Sequence, residues 1–355
     1  MYSKTLSRRG FFKATSGALL GIGAPLLQPG DPDDPEWPFI QPNPVRLDLL
    51  GRITETSTIR ATPGLNQPVV TFIAPETVIP LFEEIRFKGA NPNNDLWWRV
   101  DGGYLYSSWV QPMKPYKMPE IVTEIDGEFG FWAEVIAPYT WARQEPSGAL
   151  LPDDQESVYH YASVYRVIGI EEDAAGHPWY KVHDDRPPEK PVYVLARHMR
   201  RISEDAFKPI NPGASDKHIV VTLAAQRIDC YEGSRLVFST LTSSGGDGFG
   251  TPVGEHYMAL KQPSRHMFGE ENLADPNYFD LPGVPWNIFF TTLGHAIHGT
   301  YWHSDYGRPR SHGCLNVSPE AANWIYRWVE PAAPYDSDFT PGSRATGTPV
   351  VVIES

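Results

Sequence analysis

Ser311-His312-Gly313-Cys314-Leu315-Asn316-Val317-Ser318-Pro319-Glu320 is the stretch on which the reading of this chain turns. Its second half is a helix start: Ser318 can cap the first turn, and Pro319 sits where a missing N–H costs nothing. Ala321, Trp324, Ile325 and Trp328 then supply one apolar stripe at helical spacing. Its first half sets a thiol between glycine and imidazole. A thiol attacks a carbonyl only as thiolate, so it needs a neighbouring base or a positive field. His312 is two residues before the thiol, and His298 lies sixteen residues upstream in Ala296-Ile297-His298-Gly299-Thr300-Tyr301-Trp302. Gly299 and Gly313 let the backbone approach closely and adopt conformations closed to larger residues. The N–H groups at Gly313 and Cys314 could then face an oxyanion. The helix opening at Ser318 could further favour the thiolate through its dipole. Cysteine, histidine and a backbone hole are the minimum for acyl transfer through a thioester.

Two other readings of the same residues stay open at this point. His295, His298, His303, His312 and Cys314 could form a zinc site, although their spacing matches neither HExxH nor a paired Cys/His finger. Alternatively, Cys314 could pair with Cys230, the other cysteine of the chain. That pairing would leave the surrounding glycines and histidines without a purpose.

Working outward, residues 216–355 read as mostly strand. His218 to Leu223 and Arg235 to Thr242 form a hairpin with Gln226–Tyr231 between them, turning at Glu232-Gly233-Ser234. Gly245-Gly246-Asp247-Gly248-Phe249-Gly250 reads as a flexible loop and fits no nucleotide-binding fingerprint. Pro349–Ile353 is a final strand.

Upstream, two segments resemble each other. Ile59-Arg60-Ala61-Thr62-Pro63-Gly64 is followed by Trp97-Trp98-Arg99-Val100, and Trp141-Ala142-Arg143-Gln144-Glu145-Pro146 by Trp179-Tyr180-Lys181-Val182. Each ends in a Tyr-rich strand, Tyr104-Leu105-Tyr106 and Tyr193-Val194-Leu195. The period of about 82 residues indicates a duplicated domain, over 49–114 and 130–205. The tryptophans suit barrel cores, with ligand stacking as the alternative. Trp-centred cores of their own predict units separable from the C-terminal part.

Further upstream, residues 28–48 hold Pro29, Pro32, Pro35, Pro38, Pro42 and Pro44 and read as an extended linker. Residues 1–27 open with Ser7-Arg8-Arg9-Gly10-Phe11-Phe12-Lys13 before a short apolar stretch, the pattern of a twin-arginine export signal. This predicts a protein of the periplasm or cell wall. Left uncleaved, the segment would be an N-terminal membrane anchor.

Composition agrees. The 355 residues include 35 Pro, 30 Gly and 11 Trp, which points to short strands and many turns. A formal charge of −13 argues against nucleic acid and anionic membrane surfaces as partners. Two cysteines exclude a disulfide-dense scaffold and a four-cysteine metal site.

Thr251-Pro252-Val253-Gly254, His298-Gly299 and Ser311-His312-Gly313-Cys314-Leu315-Asn316 together resemble the L,D-transpeptidase catalytic domain of the YkuD type, over about 216–355. The duplicated segments resemble bacterial SH3-like domains. The resemblance implies a mainly β chain: two small SH3-like barrels, then a β-sandwich with a short helix after the catalytic loop. It implies Cys314 as nucleophile and His298 as general base, oriented by the Gly299 carbonyl. It implies Gly313 and Cys314 N–H groups as the oxyanion hole, His312 as a residue shaping the loop, and Trp302, Asn316 and Ser311 along the substrate cleft. Gly299 stands where the family often has serine. The implied substrate is the stem peptide of peptidoglycan, with no cofactor and no metal. The implied reaction releases D-Ala and joins third residues of two stems. Water as acceptor would give a carboxypeptidase, and a silent site would leave a wall-binding scaffold. The resemblance also implies acylation of Cys314 by carbapenems.

Overall fold

The computed structural model describes residues 49–87, 91–152, 156–187, 192–269 and 278–355. The export signal and the proline-rich linker fall outside the described residues. Among the described residues, no helix is long and apolar enough to cross a membrane.

The first module is built on two sheets. β1 (Leu50–Ile53) lies between β4 (Val78–Pro80) and β8 (Val110–Met113). The second sheet runs β3 (Val69–Ile73), β2 (Ser57–Arg60), β7 (Gly103–Tyr106), β6 (Leu96–Val100), β5 (Glu83–Arg86). The second module has a sheet ordered β14 (Val192–Leu195), β13 (Pro178–His183), β12 (Val164–Glu172), β9 (Phe131–Val135), β15 (Met199–Arg201), and a pair of β10 (Tyr139–Trp141) with β11 (Val158–His160).

The duplication is visible in the pairing. In each module a hairpin, β6–β7 or β13–β14, leads through one 3₁₀ turn, Ser107–Trp109 or Ala196–His198, into a short strand. That strand pairs with the module's first, β8 with β1 and β15 with β9. Arg60 pairs with Tyr104, and Arg143 with Tyr193. Trp97, Trp98 and Trp179 are all buried, so these rings are core. Neither module's strands close into a barrel among the described residues: every sheet has two free edges.

The C-terminal part is a two-sheet sandwich. One sheet runs β18 (Arg235–Leu241), β17 (Arg227–Glu232), β16 (Lys217–Thr222), β25 (Pro349–Ile353), β19 (Gly254–Tyr257). The other runs β23 (Leu315–Val317), β22 (Ala296–Gly299), β21 (Asp280–Phe289), β20 (Leu260–Phe268), β24 (Thr340–Pro341). β16 with β25 and β22 with β23 are parallel; the other pairs are antiparallel. Helix α1 (Pro319–Trp328) starts where expected: Ser318 Oγ accepts the Ala321 N–H at 3.2 Å.

The end of α1 is held by two lysines. Lys261, fully buried on β20, donates to the Tyr326 and Val329 carbonyls at 3.0 and 3.1 Å. Lys217 donates to the Trp328 carbonyl at 2.9 Å and to Glu330. Both ammonium groups satisfy carbonyls that a helix terminus leaves open.

The first module keeps an apolar cluster of its own around Trp98 and Leu105, whereas the second shares one with the sandwich. Trp132, Val164, Ile202 and Phe207 of the second module lie in one apolar cluster with Ile219, Ile288, Leu315, Ile325 and Val352 of the sandwich. Trp132 Nε1 donates to the Tyr335 carbonyl at 2.8 Å. The second module buries an apolar face against the sandwich because its own sheet covers only the other face.

Candidate active site

His298 and Cys314 come from neighbouring parallel strands. His298 on β22 is registered with Asn316 on β23, and Ile297 with Leu315. Directly paired residues share a face of the sheet, and so do residues two apart. His298, Cys314 and Asn316 therefore point to one side. Strand spacing and rise put the α-carbons of His298 and Cys314 about 8 Å apart, within joint side-chain reach.

The imidazole is buried, and its Nδ1 lies 3.1 Å from the Gly299 carbonyl oxygen. A carbonyl can only accept, so Nδ1 carries the proton and Nε2 is left with a lone pair. Burial pulls His298 down to about 4 against that carbonyl bond, so the ring is neutral at pH 7. Trp302 stands beside it, ring centroids 5.8 Å apart.

Cys314 is half-buried, with Sγ 3.8 Å from the Gly294 carbonyl. Burial pushes the thiol up to about 11, and the Ala296 N–H opposes this only in part. The thiol is thus not poised as a thiolate by a cation, as the two nearby imidazoles had suggested. His312 is exposed and bracketed by Phe249 and Phe279 at 4.4 and 5.1 Å, and burial lowers it too. The three residues of β23, about 10 Å of chain, separate Cys314 from the start of α1, so the helix dipole acts at a distance. The site holds a neutral thiol and a neutral imidazole, so an attack by this thiol would require its proton to move.

The loop before Cys314 is tightly folded. Ser311 Oγ donates to the Cys314 carbonyl at 2.6 Å and accepts the Gly313 N–H at 3.0 Å. The Gly313 N–H is therefore engaged, and serves an oxyanion only once that bond opens. Gly313 has φ +109°, and a β-carbon there would lie 2.7 Å from the His295 ring. Gly299 is required for a different reason: its β-carbon would meet Pro285 and Pro319 at 2.9 Å. The family's frequent serine does not fit here.

Several contacts of residues singled out in the sequence were not readable from it. Thr251 Oγ1 donates to the Gly313 carbonyl and accepts the Gly245 N–H, both at 2.9 Å. Gly246 N–H bonds the Ser311 carbonyl at 2.8 Å, so the glycine cluster is a folded turn docked on the catalytic loop rather than a free one. His303 is buried, with Nδ1 accepting the Asp305 N–H at 3.1 Å and Nε2 2.9 Å from the Asn316 amide. Asn316 is thereby packed from behind. Cys230 is free and buried in the sandwich core, so no disulfide joins it to Cys314.

Known structures resemble the chain in part. A mutant of the Enterococcus faecium L,D-transpeptidase is 24% identical over 39% of this chain and 50% of its own, with a TM-score of 0.32. This chain thus spans half the length of that protein. An L,D-transpeptidase from Mycobacterium smegmatis is 18% identical over 53% of this chain and 99% of its own, TM-score 0.33. L,D-transpeptidase 1 of Mycobacterium tuberculosis is 20% identical over 53% and 78%, TM-score 0.30. No curated protein matches the sequence. Residues 216–352, which hold both His298 and Cys314, match the family model of the L,D-transpeptidase catalytic domain, YkuD.

Proposed function

We propose that this chain is a peptidoglycan L,D-transpeptidase with Cys314 as nucleophile and His298 as general base. What supports the reading is the parallel register of β22 with β23, which brings the strand of His298 alongside the one that Cys314 leads into, together with the Gly299 carbonyl at His298 Nδ1, which leaves the lone pair on Nε2. Nε2 takes the thiol proton as Sγ attacks the carbonyl between the third residue and the terminal D-Ala of a tetrapeptide stem. The carbonyl oxygen becomes an oxyanion facing the backbone N–H groups at 313–314. The C–N bond breaks, the imidazolium returns its proton to the D-Ala amine, and a thioester remains. A side-chain amine of another stem then attacks the thioester, losing its proton to Nε2, and the thiol is restored. Trp302 and Asn316 flank the reacting centre. The twin arginines Arg8-Arg9 support export to the periplasm or cell wall, where stem peptides are. The two upstream modules support a role in presenting the wall to the site.

The test is intact-protein mass spectrometry with a tetrapeptide stem. The wild-type chain should gain the stem mass less D-Ala and release cross-linked dimer. Cys314→Ala should remain unmodified and inactive while keeping its fold. A carbapenem should likewise add its whole mass, its lactam C–N bond opening onto Sγ. Turnover by Cys314→Ala at the wild-type rate would overturn the reading. Release of D-Ala without dimer, even with excess amine acceptor, would make the chain a carboxypeptidase.

A further inference from the structure

The segment that joins base to nucleophile, residues 300–311, is gripped from outside the sandwich. Arg52 of β1, 1% exposed, donates to the Tyr301 carbonyl. Its own guanidinium is fixed by Glu76 at 2.7 and 2.8 Å, Gln111 at 2.9 Å, and His160 of the second module at 3.1 Å. The Ser304 N–H donates to the Ser108 carbonyl at 3.1 Å. Asn93 Nδ2 donates to the Gly307 carbonyl at 3.1 Å. Gly307 has φ +100°, and a β-carbon there would press on Asn93 at 3.1 Å. Finally Arg310 pairs with Glu55 and lies over the Trp109 ring, 4.8 Å from its centroid.

From the other side the sandwich holds the same segment. The Gly307 N–H reaches the Thr242 carbonyl at 2.8 Å, and Ser243 Oγ donates to the Asp305 carbonyl at 2.7 Å. The Arg310 and Ser311 N–H groups share the Ser244 carbonyl at 2.8 and 3.0 Å. Arg310 directly precedes Ser311, whose hydroxyl sets the Cys314 carbonyl and the Gly313 N–H. A shift at Arg310 is therefore passed through one residue to the nucleophile, and a misplacement of about 1 Å can cost 10²-fold in rate.

We propose that the first module, residues 49–113, is a structural part of the catalytic site, with Arg310 as a positioning residue locked by Glu55 and Trp109. The inference rests on the reading of Cys314 and His298 as nucleophile and base. The first module is then more than a spacer: its docking sets the geometry of the loop that carries the nucleophile.

The test is a charge swap in the full chain. Glu55→Arg and Arg310→Glu, singly, should lower kcat for D-Ala release about 10-fold or more with KM little changed. Each should also raise hydrogen exchange in the 300–311 amides and alter the rate of Cys314 alkylation by iodoacetamide. Arg310 also pairs with Asp305 at 3.3 Å, so the double variant, with the Glu55 pair reversed, should recover each of the three in part relative to Arg310→Glu alone. Glu83→Arg, which breaks the exposed pair with Arg99 in the same module, is the control and should change none. Unchanged kcat in both single variants, or increased loop exchange without loss of kcat, would overturn the positioning role. Should the wild-type chain release no D-Ala, the reading of function fails instead. The clamp then stands or falls on exchange and alkylation alone, which need no substrate.

Discussion

At the scale of single residues, the proposed nucleophile Cys314 is readable from Ser311–Asn316 with its glycine and the helix cap that follows, and the proposed base His298 from a second short stretch sixteen residues upstream. Their electrostatics are not readable there. Two histidines near a cysteine suggest an activated thiolate, yet burial raises Cys314 to about 11 and lowers His298 to about 4. Each group is kept neutral because neither finds an opposite charge in its surroundings. Iodoacetamide alkylation of Cys314 should therefore climb roughly tenfold per pH unit from 7 to 9 with no plateau. A plateau near pH 6–7 would mean a thiolate–imidazolium pair instead. Thr251 was visible as a motif residue, but its contact with Gly313, like those of Arg310 with Glu55 and Arg52 with Tyr301, was not, because the partners lie tens to hundreds of positions away.

At the scale of elements, α1 was legible from Ser318, Pro319 and its apolar stripe. Its far end was not. Lys261 stands within a strand and reads as a solvated charge, but tertiary packing turns it inward beneath the helix carbonyls. Burial, with Lys217 nearby, lowers Lys261 to about 7, only partly offset by Glu330. The unfolded chain holds this proton up to about 10.4, so the unfolded state binds more protons between pH 7 and 10.4. Stability from this group therefore rises with pH across that window. Lys261→Met should cost about 2–4 kcal/mol at pH 7 in urea unfolding, since it leaves the Tyr326 and Val329 carbonyls buried without a donor. A variant as stable as wild type would show that water or another donor serves those carbonyls.

At the scale of the whole molecule, strand content and the duplicated modules were legible from period and composition. The way the modules share interfaces was not, since apolar and charged residues that meet across modules carry no local signature. His266 of β20 is such a case. Its ring lies between Asp184 of the second module, 2.6 Å away, and Asp280 of β21, 2.5 Å away. Arg186 also binds Asp280, and Arg265 binds Asp185. Burial disfavours the charged ring, but the two carboxylates outweigh it and raise His266 to about 9. This contribution is complete below the unfolded value of about 6.5 and is lost as pH rises through 9. It runs opposite to that of Lys261, so the wild-type Tm should change little between pH 7 and 9. His266→Gln should show a Tm that rises with pH over that range, and Lys261→Met one that falls. Parallel Tm curves for the wild type and both variants would contradict these assignments.

The position of β25 sets a timetable. It lies inside its sheet, between β16 and β19, and pairs in parallel with a strand made some 130 residues earlier. At 5–20 residues per second, a ribosome needs on the order of ten seconds to supply it after β16 has emerged. Until then β19 has no neighbour in its sheet, and β16 has only one. Trp132 of the second module and Phe207 just after it wait much of the same time for Trp286, Tyr326 and Tyr335. The nascent chain thus carries an open apolar face for seconds, and the loop that bears Cys314 is made before the sheet beneath it is complete.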